Sequence, residues 1–244
     1  MTNNKVKTER IHRIFLLCMV VVICWGTTIS AKENPSVSAK LQKKYQYVTF
    51  MNENGLEYYE ISRTNPDDPD AEVCGIANTK GKVLISYTNY YALISPIQLQ
   101  DFGANEFRKD IYYWALQTYD NQFGIADKNG NIIIPCTPGT GIYLTEYITP
   151  EGTPFDYNYE RDGWGFVMQG DKYSALYDEK GKEIIPLSRG YSDIYLRVDA
   201  NGVKYLKVRK NGKVGICDQT GKETVPPVYT DMELKNYQVK QTIN

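Results

Sequence analysis

Histidine is almost missing from this chain: the one copy, His12, lies within the first 31 residues. Beyond that segment a Ser-His-Asp triad, a Cys-His pair, a histidine-ligated zinc and a histidine general base are all excluded. Cysteine is scarce as well. Cys18 and Cys24 share the N-terminal segment with His12, which leaves Cys74, Cys136 and Cys217. An odd number cannot all pair within one chain, and none stands in a CxxC spacing. They read as small buried hydrophobes, with one incidental disulfide as the alternative. Leucine is sparse beside Tyr, Ile and Val, a balance that favours strands over helices. Long apolar runs are absent but for Ile14 to Trp25, whose 12 residues fall short of the roughly 20 that a membrane span needs.

That run has a particular setting. Lys5, Lys7, Arg10 and Arg13 precede it, and Gly26-Thr27-Thr28-Ile29-Ser30-Ala31 follows. A basic start, a short apolar middle and a small-residue exit describe a signal peptide over 1–31, cleaved after Ser30 or Ala31, and so an exported protein. A retained anchor is the alternative. A lipid anchor on Cys24 fits poorly, because Ile23 is too large for the position before a lipidated cysteine. Without the leader, 24 basic and 28 acidic residues remain, a net charge of −4. That balance provides no basic face for nucleic acid.

What the chain does have is a repeat. Cys74-Gly75-Ile76-Ala77-Asn78-Thr79-Lys80-Gly81, Phe123-Gly124-Ile125-Ala126-Asp127-Lys128-Asn129-Gly130, Ser174-Ala175-Leu176-Tyr177-Asp178-Glu179-Lys180-Gly181 and Val214-Gly215-Ile216-Cys217-Asp218-Gln219-Thr220-Gly221 align without gaps. Asn78, Asp127, Asp178 and Asp218 each stand three residues before a glycine, the signature of a type I turn capped by a side chain and closed by positive φ. The pattern predicts a hairpin with a glycine bulge. Ile76, Ile125, Leu176 and Ile216 on the first arm, and Ile85, Ile134, Ile185 and Val225 on the second, are the expected core positions. Pro135, Pro186 and Pro226 are expected to stop the second arm.

A further strand precedes each hairpin, at Ile111–Tyr119, Gly165–Gln169 and Val203–Lys210, the last running into Asn211-Gly212. Each repeat therefore reads as a three-stranded meander. The expected organisation is a leader (1–31), a polar linker (32–44) with at most a short turn between Ser36 and Lys44, an N-terminal hairpin cap and loop (45–72), four repeats (73–234) and a tail (235–244). The fold class is all-β. Unequal repeat spacings favour an open, twisted array of antiparallel hairpins over a small propeller, because units that cannot bury a face alone must stack on neighbours.

The fourth unit, from Tyr205 through Lys210-Asn211-Gly212-Lys213-Val214-Gly215-Ile216 to Pro226-Pro227-Val228-Tyr229-Thr230-Asp231, resembles a WG repeat. Tyr191-Ser192-Asp193 repeats its Tyr-x-Asp element after the third unit. The namesake Trp-Gly step is replaced at 74–75, 123–124, 174–175 and 214–215, and the literal Trp164-Gly165 sits in a different strand. The resemblance implies an all-β bacterial repeat protein, often exported, and carries over no catalytic residues.

Three patterns bear on chemistry. Asp127-Lys128-Asn129-Gly130-Asn131 superficially matches a calcium loop, but its glycine is fourth rather than sixth and no carboxylate stands at position 12. The turn already accounts for Asp127, so no metal or cofactor is expected. Asp156, Glu160 and Asp162 could in principle serve a carboxylate-dependent glycan-acting enzyme, which needs no histidine. Aromatic residues crowd two stretches, giving Tyr113, Tyr157, Tyr159 and Trp164 as candidate contacts for an envelope protein or glycan. In the strand around Tyr113, alternation puts Tyr112, Trp114 and Leu116 on a core face. The expectation is a non-catalytic binding or scaffolding module of the cell envelope, with a glycan-acting enzyme or a structural spacer as alternatives.

Overall fold

The computed structural model describes residues 33–89, 91–101, 106–138, 141–146, 164–199 and 201–234. One short helix, α1 (Pro35–Gln42), precedes sixteen strands that fall into four antiparallel meanders. The first is β1 (Tyr47–Glu53), β2 (Leu56–Asn65), β3 (Asp68–Asn78) and β4 (Val83–Ile85). The second is β5 (Tyr91–Asp101), β6 (Glu106–Thr118), β7 (Gln122–Asp127) and β8 (Ile132–Pro138). The third is β9 (Gly141–Glu146), β10 (Trp164–Gln169), β11 (Ser174–Asp178) and β12 (Glu183–Ile185). The fourth is β13 (Asp193–Val198), β14 (Lys204–Lys210), β15 (Lys213–Cys217) and β16 (Glu223–Tyr229). The first two units join into one eight-stranded sheet through a bridge between Cys74 and Tyr91; the others are separate four-stranded sheets. The molecule is an open all-β array.

Each repeated hairpin is present, and each carries two preceding strands rather than one. Residues 45–62 are therefore the outer half of the first unit, equivalent to β5–β6, β9–β10 and β13–β14. Two proline positions also differ from expectation. β8 and β16 run on past Pro135 and Pro226, with the register slipping between Ile125–Ile134 and Phe123–Thr137, and between Ile216–Val225 and Val214–Tyr229. A proline without an N–H is tolerated where the ladder is already irregular. In the first and third units the arm does stop, at Ile85 and Ile185, and a 3-10 turn follows.

The hairpin turns owe their shape to one side-chain oxygen apiece. Oδ1 of Asp127 accepts from the N–H groups of Asn129 (2.8 Å) and Asn131 (2.9 Å), and Oδ2 accepts from the Asn131 side chain. Asn78, Asp178 and Asp218 accept from the equivalent pairs. Asp199 forms a further turn of the same kind between β13 and β14, donated to by Asn201 and Val203.

Stacking follows from strand register. Ile76, Ile125, Leu176 and Ile216 lie directly opposite Glu60, Ala115, Val167 and Lys207. This is the outgoing face of each unit. The neighbouring residues Tyr59, Trp114, Phe166 and Leu206 point to the incoming face, and all four are fully buried. Four apolar clusters fill four joints. Tyr58, Ile76 and Ile85 meet Trp114 and Leu116; Ile125 and Ile134 meet Phe166 and Met168; Val167, Leu176 and Ile185 meet Leu196, Leu206 and Val208. The remaining cluster sets Tyr59, Ile61 and Ala77 of the first unit against Leu41 and Val37 of α1. At about 1.5–3 kcal/mol per large side chain buried, no unit holds its faces dry alone.

The described part of the expected polar linker, residues 33–44, thus forms a cap. Pro35 opens α1 where its missing N–H costs nothing, and Asn34 caps the helix by accepting from the Ser36 N–H at 3.1 Å. The composition is polar because only one stripe, Val37 and Leu41, meets the sheet. At the other end the outgoing face carries Lys207 and Arg209, ion-paired to Asp231 at 2.5 and 2.8 Å. Lys207 stands there where Glu60, Ala115 and Val167 stand at the three joints between units. Cys74, Cys136 and Cys217 are free thiols; Cys74 and Cys217 are buried, and Cys136 is partly so.

Candidate interaction rim

An even number of strands returns the chain to the side from which it came. All connectors between units therefore lie on one rim of the stack, together with the turns between the second and third strands. The Asx turns occupy the opposite rim. The repeated turn contacts keep the units in this alignment: a β-carbon at Gly130, Gly181 or Gly221 would meet the carbonyl oxygen of Leu84, Ile133 or Ile184 in the unit before.

Most of the exposed large apolar side chains of the described residues gather on the connector rim. Tyr47, the first residue of β1, and Leu93, the third of β5, stand at equivalent register opposite Ser62 and Gln117. Tyr119 and Tyr173 sit in the second turns of units two and three, and Val228 and Tyr229 close β16. These side chains keep between 38% (Tyr229) and 58% (Val228) of their surface open. Ile132 lies on the opposite rim.

Tyr229 shows why a rim side chain becomes exposed. It pairs with Val214 as Tyr91 pairs with Cys74, and as the Tyr191 carbonyl accepts from the Ser174 N–H at 2.7 Å. Tyr91 and Tyr191 are 8% and 1% exposed because a following unit covers them, whereas among the described residues no following unit covers Tyr229, which is 38% exposed. Tyr191 is further engaged, accepting from Arg189 at 3.1 Å and donating to Glu223 at 3.0 Å.

Tyr119 is held in place. Its hydroxyl donates to the Glu72 carbonyl of the first unit, and burial, helped by nearby Cys74 and Asp68, raises its pKa above that of an ordinary phenol. Exposed charges of both signs border the rim: Lys43 and Lys44 before Tyr47, Asp67 in the turn before β3 with Asp68, Asp70 and Glu72 in the first half of that strand, Asp120 beside Tyr119, Asp171 and Lys172 before Tyr173, and Lys213 at the start of β15.

The sequence-derived candidates are Tyr113, Tyr157, Tyr159 and Trp164. Tyr113 is half-buried at the joint between units two and three, edge-on to Phe166 with ring centres 4.8 Å apart. Burial first, then Glu179 and Asp127, raises its phenol pKa. Trp164 opens β10 with its backbone opposite Glu146. Tyr157 and Tyr159, like Asp156, Glu160 and Asp162, lie outside the described residues. Trp114 and Leu116 are buried on the face that alternation assigns them, and Tyr112 packs edge-on to Trp114 at 5.5 Å.

The rim residues carry no motif of their own. One signal was available: Tyr119 and Tyr173 both stand beside the turn residues Asp120-Asn121 and Asp171-Lys172, where a core residue has no place. No protein-family model, no curated protein and no solved structure matches this chain.

Proposed function

We propose that the protein is an exported, non-catalytic binding or scaffolding module of the bacterial cell envelope, built from WG-like repeats. It holds an envelope protein or glycan against its connector rim. The observation that carries this reading is the gathering of exposed tyrosines on one rim of a stack covered by α1 at one end and by charge at the other. An apolar strip of that kind on a soluble fold marks an interaction surface, and tyrosine gives a partner large contact area at small entropic cost. The leader supports export.

The test is co-sedimentation. Protein expressed with its own leader is recovered from the cell exterior and mixed with cell-wall and envelope-membrane fractions of the source organism. Wild type is expected to sediment, and the Tyr119→Ser/Tyr173→Ser double variant to remain in solution with an unchanged circular-dichroism spectrum. Equal sedimentation of the two would remove the rim from the account.

A further inference from the structure

The chain contains four Asn-Gly steps: Asn54-Gly55, Asn129-Gly130, Asn201-Gly202 and Asn211-Gly212. Such a step can rearrange without an enzyme. The glycine amide nitrogen, after losing its proton to solvent base, attacks the side-chain carbonyl carbon of the asparagine. Ammonia leaves as a five-membered succinimide closes. Water then opens the ring at one carbonyl or the other, giving aspartate, or isoaspartate with the backbone rerouted through the side chain. Glycine suits the attack because it has no β-carbon to hinder the rotation that brings nitrogen onto carbon. The remaining requirements are an exposed asparagine and a glycine N–H that is not held elsewhere.

All four asparagines are exposed, so exposure does not separate them. The glycine N–H does. That of Gly55 donates to the Asn52 side chain at 3.0 Å. Those of Gly130 and Gly202 donate to the carbonyls of Asp127 and Asp199 at 2.9 and 3.0 Å. At these two steps the asparagine N–H is tied as well, to the Asp127 and Asp199 carboxylates at 2.8 and 2.9 Å. Gly130 is further pressed against the Leu84 carbonyl. Gly212 differs in each respect. Its N–H has no acceptor among the described residues, and the space where a β-carbon would stand is open. With Asn211 it forms a two-residue loop between the paired Lys210 and Lys213, both loop residues at positive φ.

We infer that Asn211-Gly212 is a site of spontaneous deamidation in the folded protein, and that the fold protects the other three steps. Either product places a carboxylate in a turn flanked by Lys210 and Lys213. The isoaspartyl product also lengthens the loop backbone by a methylene, at the point where the register of β14 and β15 is set.

The purified full protein is held at mildly alkaline pH, and all four steps are followed by peptide mapping, with isoaspartate detected by enzymatic methyl labelling. In the native protein Asn211 should convert faster than Asn54, Asn129 or Asn201 by about tenfold or more, since each of those must first give up a hydrogen bond. In urea the four rates should draw together. Asn211→Gln, whose longer side chain cannot close a five-membered ring, should remove most of the isoaspartate formed by the native protein. Conversion at Asn211 no faster than at the other three would overturn the inference. So would an equal lead for Asn211 in urea, which would make local sequence rather than the fold the cause. Aspartate without isoaspartate at 211 would mean direct hydrolysis and rule out attack by the Gly212 nitrogen.

Discussion

Gly181 lies directly against the carbonyl of Ile133 in the preceding unit, so close that any β-carbon there would overlap the oxygen. Its φ of +81° adds a second reason for glycine. Gly130 on Leu84 and Gly221 on Ile184 repeat the contact, and Gly81 meets Val37 of α1 at 3.1 Å instead. The helix thus takes the place of a missing unit.

Comparing two glycines separates these reasons. Gly212 has the same positive φ, at +75°, with open space where a β-carbon would be. Gly212→Ala should cost about 1–2 kcal/mol from backbone conformation alone. Gly181→Ala should cost clearly more, since the units must also part. Urea midpoints of the two variants check this; equal losses would mean that the joint does not press on Gly181.

The α1 cap is open to a similar test. Leu41 is buried against Tyr59 and Ile61, and Leu41→Ala is expected to cost about 2–4 kcal/mol. At the other end, Asp231→Ala removes a partly exposed ion-pair network and should cost no more than about 1 kcal/mol. Thermal unfolding of both variants measures the difference.

Much of the fold was legible in particular residues. Asn78, Asp127, Asp178 and Asp218 with their following glycines marked the turns, and the aligned isoleucines marked core positions. Helix α1 was not legible, because a single stripe of Val37 and Leu41 is too narrow to show periodicity. The fourth strand of each unit was hidden by irregular sequence in β5 and β9. The rim could not be seen because exposure is a product of stacking: Tyr91, Tyr191 and Tyr229 are the same residue at equivalent places, and what distinguishes them is whether a unit among the described residues packs over them.

The first joint is predicted to respond to pH. Glu60 stands where Ala115 and Val167 stand in later joints, and faces a cluster containing Trp114, whose indole N–H has no hydrogen-bond partner among the described residues. Burial, then Glu72 and Glu53, raises its carboxyl pKa; Tyr58 beside it is hydrogen-bonded to Glu53, and Cys74 lies across the strand pair. A carboxyl whose folded pKa lies above its unfolded value of about 4.3 favours folding below that value, and this is lost as pH rises through the folded pKa. Glu60→Gln should therefore raise the urea midpoint at pH 7 and leave it nearly unchanged at pH 4. Asp127 and Asp218 act oppositely. Burial opposes their charge, but hydrogen bonds from Asn131 and Asn129, and from Thr220 and Lys222, outweigh it and lower their pKa values. Their contribution is present above about pH 3.9 and is lost as pH falls through the lowered values.

The thiols should report unfolding. Burial, aided by Glu60 and Glu72, pushes Cys74 up to about 12, and burial raises Cys217 as well. A thiol held protonated and shielded reacts slowly. Native protein at pH 8 should leave Cys74 and Cys217 unmodified by a disulfide reagent for as long as it stays folded, and urea should release both together. Rapid labelling of either without denaturant would contradict their burial.

Hydroxyl-radical footprinting with and without the envelope fraction tests the functional account most directly. In the free protein, Tyr47, Tyr119, Tyr173 and Tyr229 should oxidise readily, whereas Tyr59 and Tyr191, buried at the joints, should be protected. Added envelope should protect the rim tyrosines and leave exposed Ile132, on the opposite rim, as reactive as before. Protection that spares the rim, or falls on Ile132, would contradict the assignment of this rim as the binding surface.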